Sequence, residues 1–487
     1  MPRIVFYLES VIYQHDIAVL SSYLRSIGIN YRVLFREVEG DRILNVIEDY
    51  SPSYVIFPSE LRAHGGVGEL VFSIVKTAEE VKRRLGIPTV LFGRQATIAA
   101  DELIKRFFDL DYIVVGDPEY PIRDLVLTGE ANNVSGLVYR DRDKRLVKNP
   151  VGTQTDLSSL PRPDYNAFFQ FKGADKLGFF VPVSRGCVYS CAFCQNAHLK
   201  KKVTNKESYM RFYPPNWLID NLVFLNETHG PINNIYFTDT NFTYSEEFLK
   251  EFISLYKQKL NIPFVCATRA NRVNERVARL LKEGNCSKVN IGVESGNENV
   301  RNRQLKKGIT DEQIKKCVIA LKSNNIRVTG NIIIALPGET FGAAMSSIEK
   351  TRQFGFDSIN VSLFQPYYGT DLTNVAIGEG LLDHNFCKWS SSANKMQGKS
   401  SLKMPDIRKI ENLQILSKIF LRFPHKSLFS LLCAMPKNRF YFAAYHLPRV
   451  RTSLMYEFKS FSIWDKLSYL VTQLYYIFIK KERGYNR

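Results

Sequence analysis

Short apolar segments alternate with helical patterns along the first 118 residues of the chain. The apolar runs fall at 4–8, 31–35, 54–57, 89–92 and 112–115, and between them apolar residues recur at helical spacing, as at Ile17, Leu20, Leu24 and Ile27. Five strands separated by amphipathic helices predict an α/β fold with a flavodoxin-like, doubly wound parallel sheet. Ligands of such sheets lie beyond the carboxyl ends of the strands. The loops at 9–14, 58–66, 93–97 and 116–119 are therefore the predicted site of this part.

The same alternation resumes near residue 180 and predicts a second parallel sheet. Its strands are expected at 180–183, 234–237, 264–267, 288–293, 328–335 and 358–364. Six strand–helix units are too few for a closed eight-stranded barrel. We expect a partial (β/α)6 TIM-like barrel that is open on one side and holds its ligand at the carboxyl ends of the strands.

These patterns divide the chain into four parts. We expect a doubly wound, Rossmann-type domain over 1–134, a hairpin and proline-rich linker over 135–175, the partial barrel over 176–375 and a helical, aromatic-rich region over 376–487. The chain carries a formal charge of +18, and residues 401–487 hold 16 Lys and Arg against 5 Asp and Glu. Such a basic end suits RNA, an anionic membrane face, an acidic partner or simply a solvated helical cap.

The apolar stretches, the cysteine usage and the N-terminus bear on the cellular location of the protein. The longest nearly apolar stretch near the end, 467–479, has 13 residues, whereas a bilayer span needs about 20, so only peripheral membrane contact by the C-terminal region stays open. Five of the eight cysteines are scattered among apolar runs, which fits a reducing compartment rather than a disulfide framework. The N-terminus lacks a signal-peptide pattern. We expect a cytoplasmic protein.

Three cysteines stand close together after the first strand of the second sheet. Cys187, Cys191 and Cys194 are separated by three residues and then by two. Thiolates are the ligands of iron–sulfur clusters, and three on one loop can hold three irons of a 4Fe–4S cube while leaving the fourth iron without a protein ligand. A zinc site, a disulfide or unrelated core thiols are the alternatives. Zinc would need a fourth ligand, and the nearest candidate, His198, lies only four residues after Cys194.

This spacing, with the aromatic Phe193 before the last cysteine, resembles the signature of radical S-adenosylmethionine (SAM) enzymes. The resemblance implies that Cys187, Cys191 and Cys194 hold a 4Fe–4S cluster whose free iron chelates SAM. One electron from the cluster then cleaves SAM to a 5′-deoxyadenosyl radical.

The polar residues at the ends of the predicted barrel strands also resemble the SAM-binding positions of this superfamily. Asp239 and Thr240 follow the second strand and are expected to contact the amino group of SAM. Arg269 ends the third strand and is expected to pair with the SAM carboxylate. Glu294 ends the fourth strand beside glycines, where it would accept hydrogen bonds from the ribose, and Asn331 lies inside the barrel.

Two segments of the first sheet resemble the cobalamin-binding domain that precedes many radical SAM domains. They are 90–97, with the candidate residues Gly93, Arg94 and Gln95, and 111–119, with Gly116. Glycine at such strand ends lets a bulky ligand approach the backbone closely. The Asp-x-His-x-x-Gly motif of domains that ligate cobalt through histidine is absent. The resemblance therefore implies cobalamin without a histidine ligand; a flavin or a purely structural role for the sheet is the alternative.

The resemblance as a whole implies a cobalamin-dependent methylation of an unactivated carbon in a small-molecule metabolite. Ring closure, ring contraction or oxidation by a related enzyme is the runner-up. A tRNA methylthiotransferase is less favoured, because no second three-cysteine group is present, and a non-catalytic iron–sulfur protein that binds nucleic acid is the alternative from another class. A reducing partner such as flavodoxin or ferredoxin is expected, and residues 200–202, all lysines, are a candidate docking patch or a solvated face.

Overall fold

The first sheet consists of five parallel strands and an antiparallel hairpin. The computed structural model describes residues 1–59, 67–171, 179–382, 399–436 and 441. The strands run in the order β2-β1-β3-β4-β5-β6-β7, with bounds β1 Arg3–Leu8, β2 Asn30–Phe35, β3 Tyr54–Pro58, β4 Thr89–Phe92, β5 Tyr112–Val114, β6 Leu137–Arg140 and β7 Leu146–Lys148. The order of the first five strands is that of flavodoxin-like folds, which confirms the predicted fold class of this part.

Helices cover both faces of this sheet, as the near-continuous apolar strands require. They are α1 His15–Ser26, α2 Arg36–Glu39, α3 Ile43–Tyr50, α4 Val67–Leu85, α5 Arg94–Arg106 and α6 Glu119–Thr128. One face forms its own core around Val5, Val55 and Leu91. The other face, with Ile4 and Phe6, shares a continuous core with the barrel, so the two sheets are held together by apolar packing.

The start of α5 differs from the prediction. The segment 94–97, expected to be a loop, is the first turn of the helix. Gly93 has a φ of 105°, a conformation that glycine adopts readily and other residues rarely do. It turns the chain from β4 into the helix within one residue. A second difference concerns the hairpin expected after residue 135: strand β6 pairs with β5, so the hairpin extends the first sheet.

The second sheet is the predicted six-stranded partial barrel. Its parallel strands run in the order β8-β11-β12-β13-β14-β15, and a separate two-stranded pair, β9 and β10, flanks the cysteine loop. The bounds are β8 Phe179–Val181, β9 Ser184–Arg185, β10 Arg211–Phe212, β11 Ile235–Phe237, β12 Phe264–Thr268, β13 Cys286–Glu294, β14 Arg327–Ile334 and β15 Ser358–Leu363. All six predicted barrel strands are confirmed within three residues.

Helices follow the barrel strands and pack on the outer face of the barrel. The linker contributes α7 Asn166–Phe169, and the barrel contributes α8 Gln195–Lys200, α9 Pro215–Thr228, α10 Glu246–Lys259, α11 Glu275–Glu283, α12 Asp311–Ser323, α13 Phe341–Gln353 and α14 Asp371–Gly378. Along β13 to β15, buried residues alternate with partly or fully exposed ones, such as the partly exposed Asn290 and Asn331 and the exposed Asn360. Because strand side chains alternate between faces, this more exposed set lines the lumen of the barrel.

Two C-terminal helices follow, α15 Ile407–Arg422 and α16 Lys426–Ala434. Helix α15 packs against β15 and α13 and so covers the edge of the open barrel. Within the ranges given above, no helix combines the length and the apolar character needed to cross a membrane. The predicted loop segment 60–66, the linker residues 172–175 and the aromatic-rich end after residue 441 lie outside the described residues.

Candidate active site

The three cysteines of the motif lie on the loop between β9 and α8. Cys187 and Cys191 are buried, Cys194 is half-buried, and all three are free thiols. The preceding Gly186 has a φ of 89°, and a Cβ at this position would overlap the carbonyl oxygen of Tyr209. Glycine therefore lets the loop pass against its neighbour. Burial raises the pKa of the Cys194 thiol, so a bound metal must supply the charge that favours its thiolate form.

A single metal ion and a multi-iron cluster make different geometric demands on the three thiols. Among the described residues, no three side chains of His, Cys, Asp or Glu converge in a geometry that would hold one metal ion. A zinc site needs its ligands about 2 Å from a common centre. In a 4Fe–4S cluster each thiolate binds a different iron, so the three sulfurs need not converge on one point.

Arg269 lies directly beside the cysteine loop. Its Nη1 atom is 3.5 Å from the sulfur of Cys191, and its guanidinium lies 3.7 Å above the ring of Tyr189. Its Nη2 also donates a hydrogen bond to the carbonyl of Lys307. The residue is buried, so its charge acts in a medium of low dielectric constant. The guanidinium is placed to stabilise an anion at the cysteine loop.

Glu294 and Lys307 form a buried ion pair at the carboxyl end of β13. The Lys307 Nζ donates to the Glu294 Oε1 at 2.7 Å, and the two residues are 8% and 9% exposed, respectively. Glu294 has a φ of 67°, an uncommon conformation for a residue with a side chain. A Cβ on the neighbouring Gly292 would overlap this carboxylate. Glycine at 292 therefore makes room for the pair.

Of the other predicted SAM residues, Asp239 and Thr240 follow β11 and line the cleft described below. Asp239 is buried, and its carboxylate accepts hydrogen bonds from the backbone N–H of Val183 at 2.8 Å and from the Ser184 hydroxyl. It thus fixes the strand that leads into the cysteine loop. Thr240 is exposed at the cleft described below, and Phe193 lies 5.9 Å from the Lys307 ammonium.

Two glutamine side chains at this end of the barrel carry buried amide atoms that have no hydrogen-bond partner among the described residues. Neither polar atom of the Gln365 side chain, which follows β15 and is 5% exposed, has a hydrogen-bond partner among the described residues. The Nε2 atom of Gln195, the residue after Cys194, is in the same condition. Leaving a buried polar group unpaired costs about 1–3 kcal/mol. These amides therefore suit a polar ligand bound beside the cysteines.

A cleft separates the strand ends of the first sheet from the mouth of the barrel. It encloses about 1640 Å³, including the part open to solvent. Gly93, Arg94 and Gly116 line it from the first sheet, and Thr240 lines it from the barrel. Gln95 is buried in the first domain and does not line the cleft. The structure thus brings three of the four predicted cobalamin residues together.

Histidine also lines this cleft, although the histidine motif is absent. His15 follows β1 and is buried; its Nδ1 lies 3.1 Å from the hydroxyl of Tyr13, and its ring makes edge contacts with Tyr213 and Trp217. The ring is therefore held among aromatic side chains at the wall of the cleft.

A largely buried group of four charged residues connects the two domains beside the cleft; the side chains of Arg185, Arg211 and Asp117 are 13%, 17% and 19% exposed. Arg185 donates two hydrogen bonds to the fully buried Glu119, at 2.7 and 3.1 Å, and Arg211 donates to Asp117 at 2.7 Å. Arg185 lies two residues before Cys187, whereas Asp117 follows the cleft residue Gly116. These four residues, named the interdomain ion cluster below, therefore tie the cysteine loop to the strand end of the first sheet.

The ion cluster also sets the charge state of Asp117. Burial alone raises the pKa of Asp117, but Arg185 and Arg211 outweigh it and lower that pKa below its ordinary value of 3.8. A lowered folded-state pKa stabilises the fold above the ordinary value, and this contribution is lost as the pH falls through the lowered pKa.

Comparisons with known proteins agree with this geometry. Residues 181–351 match the family model of the radical SAM superfamily, which confirms the radical SAM resemblance. An uncharacterised methyltransferase of Pyrococcus horikoshii is 26% identical over 384 residues, covering 77% of this chain and 78% of that protein.

Two solved structures share the fold. TsrM from Kitasatospora setae, a radical SAM methyltransferase with cobalamin and a 4Fe–4S cluster bound, has a TM-score of 0.64 at 16% identity, over 82% of this chain and 86% of that one. OxsB, a cobalamin-dependent SAM radical enzyme with aqua-cobalamin and SAM bound, has a TM-score of 0.68 at 14% identity, over 97% and 79%. The comparisons confirm the predicted fold class.

Proposed function

We propose that this chain, an enzyme with a radical SAM domain that uses a 4Fe–4S cluster and SAM, is a cobalamin-dependent methyltransferase acting on an unactivated carbon of a small molecule. The observation that carries the proposal is the cleft between the two sheets. Its walls include Gly93 and Gly116 from the first sheet and residues 184–186, which lead into the cysteine loop. A ligand of the first sheet would therefore face a ligand of the cysteines. TsrM and OxsB, which share this fold, bind cobalamin.

When bound, the cluster would supply the electron that cleaves SAM to methionine and a 5′-deoxyadenosyl radical, and cobalamin would supply the methyl group for the carbon that this radical activates. The chain's own residues would bind and orient these groups and exclude water. Cys187, Cys191 and Cys194 would hold the cluster. The buried Arg269 would stabilise negative charge at the cysteine loop.

The residues proposed to bind SAM are Asp239, Thr240, Arg269, Glu294 and Asn331. Among them, Glu294 is held by the ammonium of Lys307, so its second oxygen remains to accept hydrogen bonds from hydroxyl groups. Phe193 would cover the cysteine side of the site. Asp239 would act mainly by fixing the residues before the cysteine loop.

Cobalamin would be held from the first sheet by the backbone at Gly93 and Gly116. Both have positive φ, of 105° and 97°, and a bulky side chain there would enter the cleft. Arg94 begins α5 and donates a hydrogen bond to Asn196 of helix α8, which follows the cysteine loop, at 3.4 Å. Arg94 would thus connect the cobalamin-binding side of the cleft to the cluster. The buried Gln95 would not contact cobalamin directly and would support the residues that do.

Neutralising Glu294 should weaken SAM binding. The variant Glu294→Gln keeps the shape of the side chain but leaves the Lys307 ammonium without its anionic partner. We expect the dissociation constant of SAM, measured on cluster-loaded protein by equilibrium dialysis, to rise roughly tenfold. The control is Glu312→Gln, which breaks an equally short but exposed pair, Glu312 with Lys316 at 2.7 Å. Equal affinities in the two variants would contradict the role given to Glu294.

The surface beside the cysteine loop is basic and suits an acidic electron donor such as flavodoxin. Lys200 donates to the carbonyl of Val188 inside the loop, while the exposed Lys201 and Lys306 both pair with Asp371. We expect Lys201→Glu combined with Lys306→Glu to slow cluster reduction by flavodoxin roughly tenfold at low salt, and less at high salt. Reduction by dithionite should not change. A Lys250→Glu variant on helix α10 is the control, and an equal loss in that variant would contradict a specific docking surface.

The proposed function is tested with SAM that carries a deuterated methyl group. Protein loaded with iron, sulfide and cobalamin is incubated with this SAM and a reductant, and S-adenosylhomocysteine and 5′-deoxyadenosine are quantified. We expect S-adenosylhomocysteine only when cobalamin is loaded, because under this proposal cobalamin would take the methyl group from SAM. Equal release of S-adenosylhomocysteine with and without cobalamin would contradict the proposal.

A further inference from the structure

Two asparagine side chains lie next to each other on the lumen face of the barrel. Asn331 of β14 and Asn360 of β15 are opposite each other in the parallel register. The Nδ2 of Asn360 donates a hydrogen bond to the Oδ1 of Asn331 at 3.1 Å. The oxygen of Asn331 is therefore occupied by its neighbour, and its Nδ2 donors remain for another group.

A lysine of the C-terminal helix α15 fixes the direction of this pair. The Nζ of Lys418 donates to the carbonyl of Ile359 at 2.7 Å and to the Oδ1 of Asn360 at 3.3 Å. An ammonium group can only donate, so Asn360 must turn its oxygen toward Lys418 and its nitrogen toward Asn331. An amide alone could adopt either orientation. The charge on Lys418 thus decides which atom of Asn331 is presented to the lumen.

The presented nitrogen borders the proposed SAM site. Asn331 is opposite Gly292 of β13 in the register, and Gly292 lies against the Glu294–Lys307 pair. We propose that Lys418 is a positioning residue that, through Asn360, holds the Asn331 amide with its donors toward a hydrogen-bond acceptor atom of bound SAM. This inference rests on the SAM site of the proposed function and adds that the C-terminal helix sets the polarity of that site.

Helix α15 provides a matched control on the same strand edge. One turn before Lys418, Gln414 donates to the carbonyl of Val361 at 3.0 Å, so it also binds helix α15 to β15. The variants Lys418→Met and Gln414→Met each remove a hydrogen bond from α15 to a carbonyl of β15, and Lys418→Met also removes the donor to the Asn360 oxygen. The variant Lys418→Arg keeps a cationic donor that can hold the Asn360 oxygen.

The test is a SAM titration of the protein loaded with cluster but without cobalamin, read from the electron paramagnetic resonance spectrum of the reduced cluster. We expect Lys418→Met to raise the dissociation constant of SAM roughly tenfold, Gln414→Met to change it less than twofold, and Lys418→Arg to restore most of the affinity. Equal effects of the two methionine variants would overturn the proposal, since the loss would then come from docking of the helix.

A variant of Asn331 itself tests the orientation of its amide without disturbing helix α15. Asn331→Asp replaces the Nδ2 donor with an oxygen of similar size. This oxygen would face the acceptor atom of SAM and could not donate a hydrogen bond to it. We expect SAM to bind at least tenfold more weakly, while iron content stays at the wild-type level. Unchanged or tighter SAM binding would overturn the proposal. Neither titration involves cobalt, so such a result would leave the cobalamin test of the proposed function intact.

Discussion

Replacing Cys191 with alanine is expected to remove the iron–sulfur cluster and with it all cleavage of SAM. The wild-type loop offers three thiols, and a 4Fe–4S cube that already lacks one protein ligand is not held by two. Iron in the anaerobically reconstituted and desalted protein should fall from about four atoms per chain to fewer than about one. Release of 5′-deoxyadenosine should fall below detection.

The matched control for this loss is Cys317→Ala on helix α12. Cys317 is fully buried, and burial raises its pKa to about 12, so it stays a neutral thiol. Its removal should cost only the stability associated with a small cavity and leave the iron content unchanged. If Cys191→Ala retained about four irons, or if Cys317→Ala lost them equally, the assignment of the cysteine loop would be wrong.

Breaking the interdomain ion cluster is expected to destabilise the protein strongly. The variant Arg185→Met leaves the carboxylate of Glu119, which is fully buried, without its cation. Removing one partner of a buried pair typically costs about 3–5 kcal/mol, whereas replacing both partners costs much less. We therefore expect the free energy of unfolding, measured with urea, to fall by about that amount in Arg185→Met. The double variant with Glu119→Gln should recover part of it.

An exposed ion pair provides the control for this measurement. Asp220 and Lys259 are 2.7 Å apart, but their side chains are 54% and 42% exposed. The variant Asp220→Asn should cost less than about 1 kcal/mol. Similar losses in Arg185→Met and Asp220→Asn would contradict the importance given to the buried cluster. Because Arg185 lies close to Cys187, iron retention should also fall in Arg185→Met and not in Asp220→Asn.

The elements and groups that could be predicted from the sequence are the local ones. Each barrel strand is a short apolar run in the chain itself, and the three cysteines lie within eight residues of one another. The strands and the cysteine motif can therefore be recognised without knowledge of the fold. The start of helix α5 was missed because a single glycine at 93 makes a turn for which a longer loop is the usual expectation.

The partners of the site residues could not be predicted, since they come from distant parts of the chain. Arg185 and Glu119 are 66 residues apart, and Lys418 lies 58 residues after Asn360. Lys307 is nearer to Glu294, but it follows another lysine and precedes a glycine, a pattern that is also typical of an exposed turn. Only the folded barrel buries its ammonium against a carboxylate. The orientation of the Asn331 amide likewise depends on Lys418 of helix α15, which lies outside the barrel.

The most direct test of the two-cofactor assignment is metal analysis after anaerobic reconstitution. The purified protein is incubated with iron, sulfide and hydroxocobalamin, desalted, and analysed for iron and cobalt. A cluster on the cysteine loop and cobalamin in the cleft predict about four irons and about one cobalt per chain. About four irons without cobalt would contradict the cobalamin assignment of the cleft and the methyl transfer that depends on it.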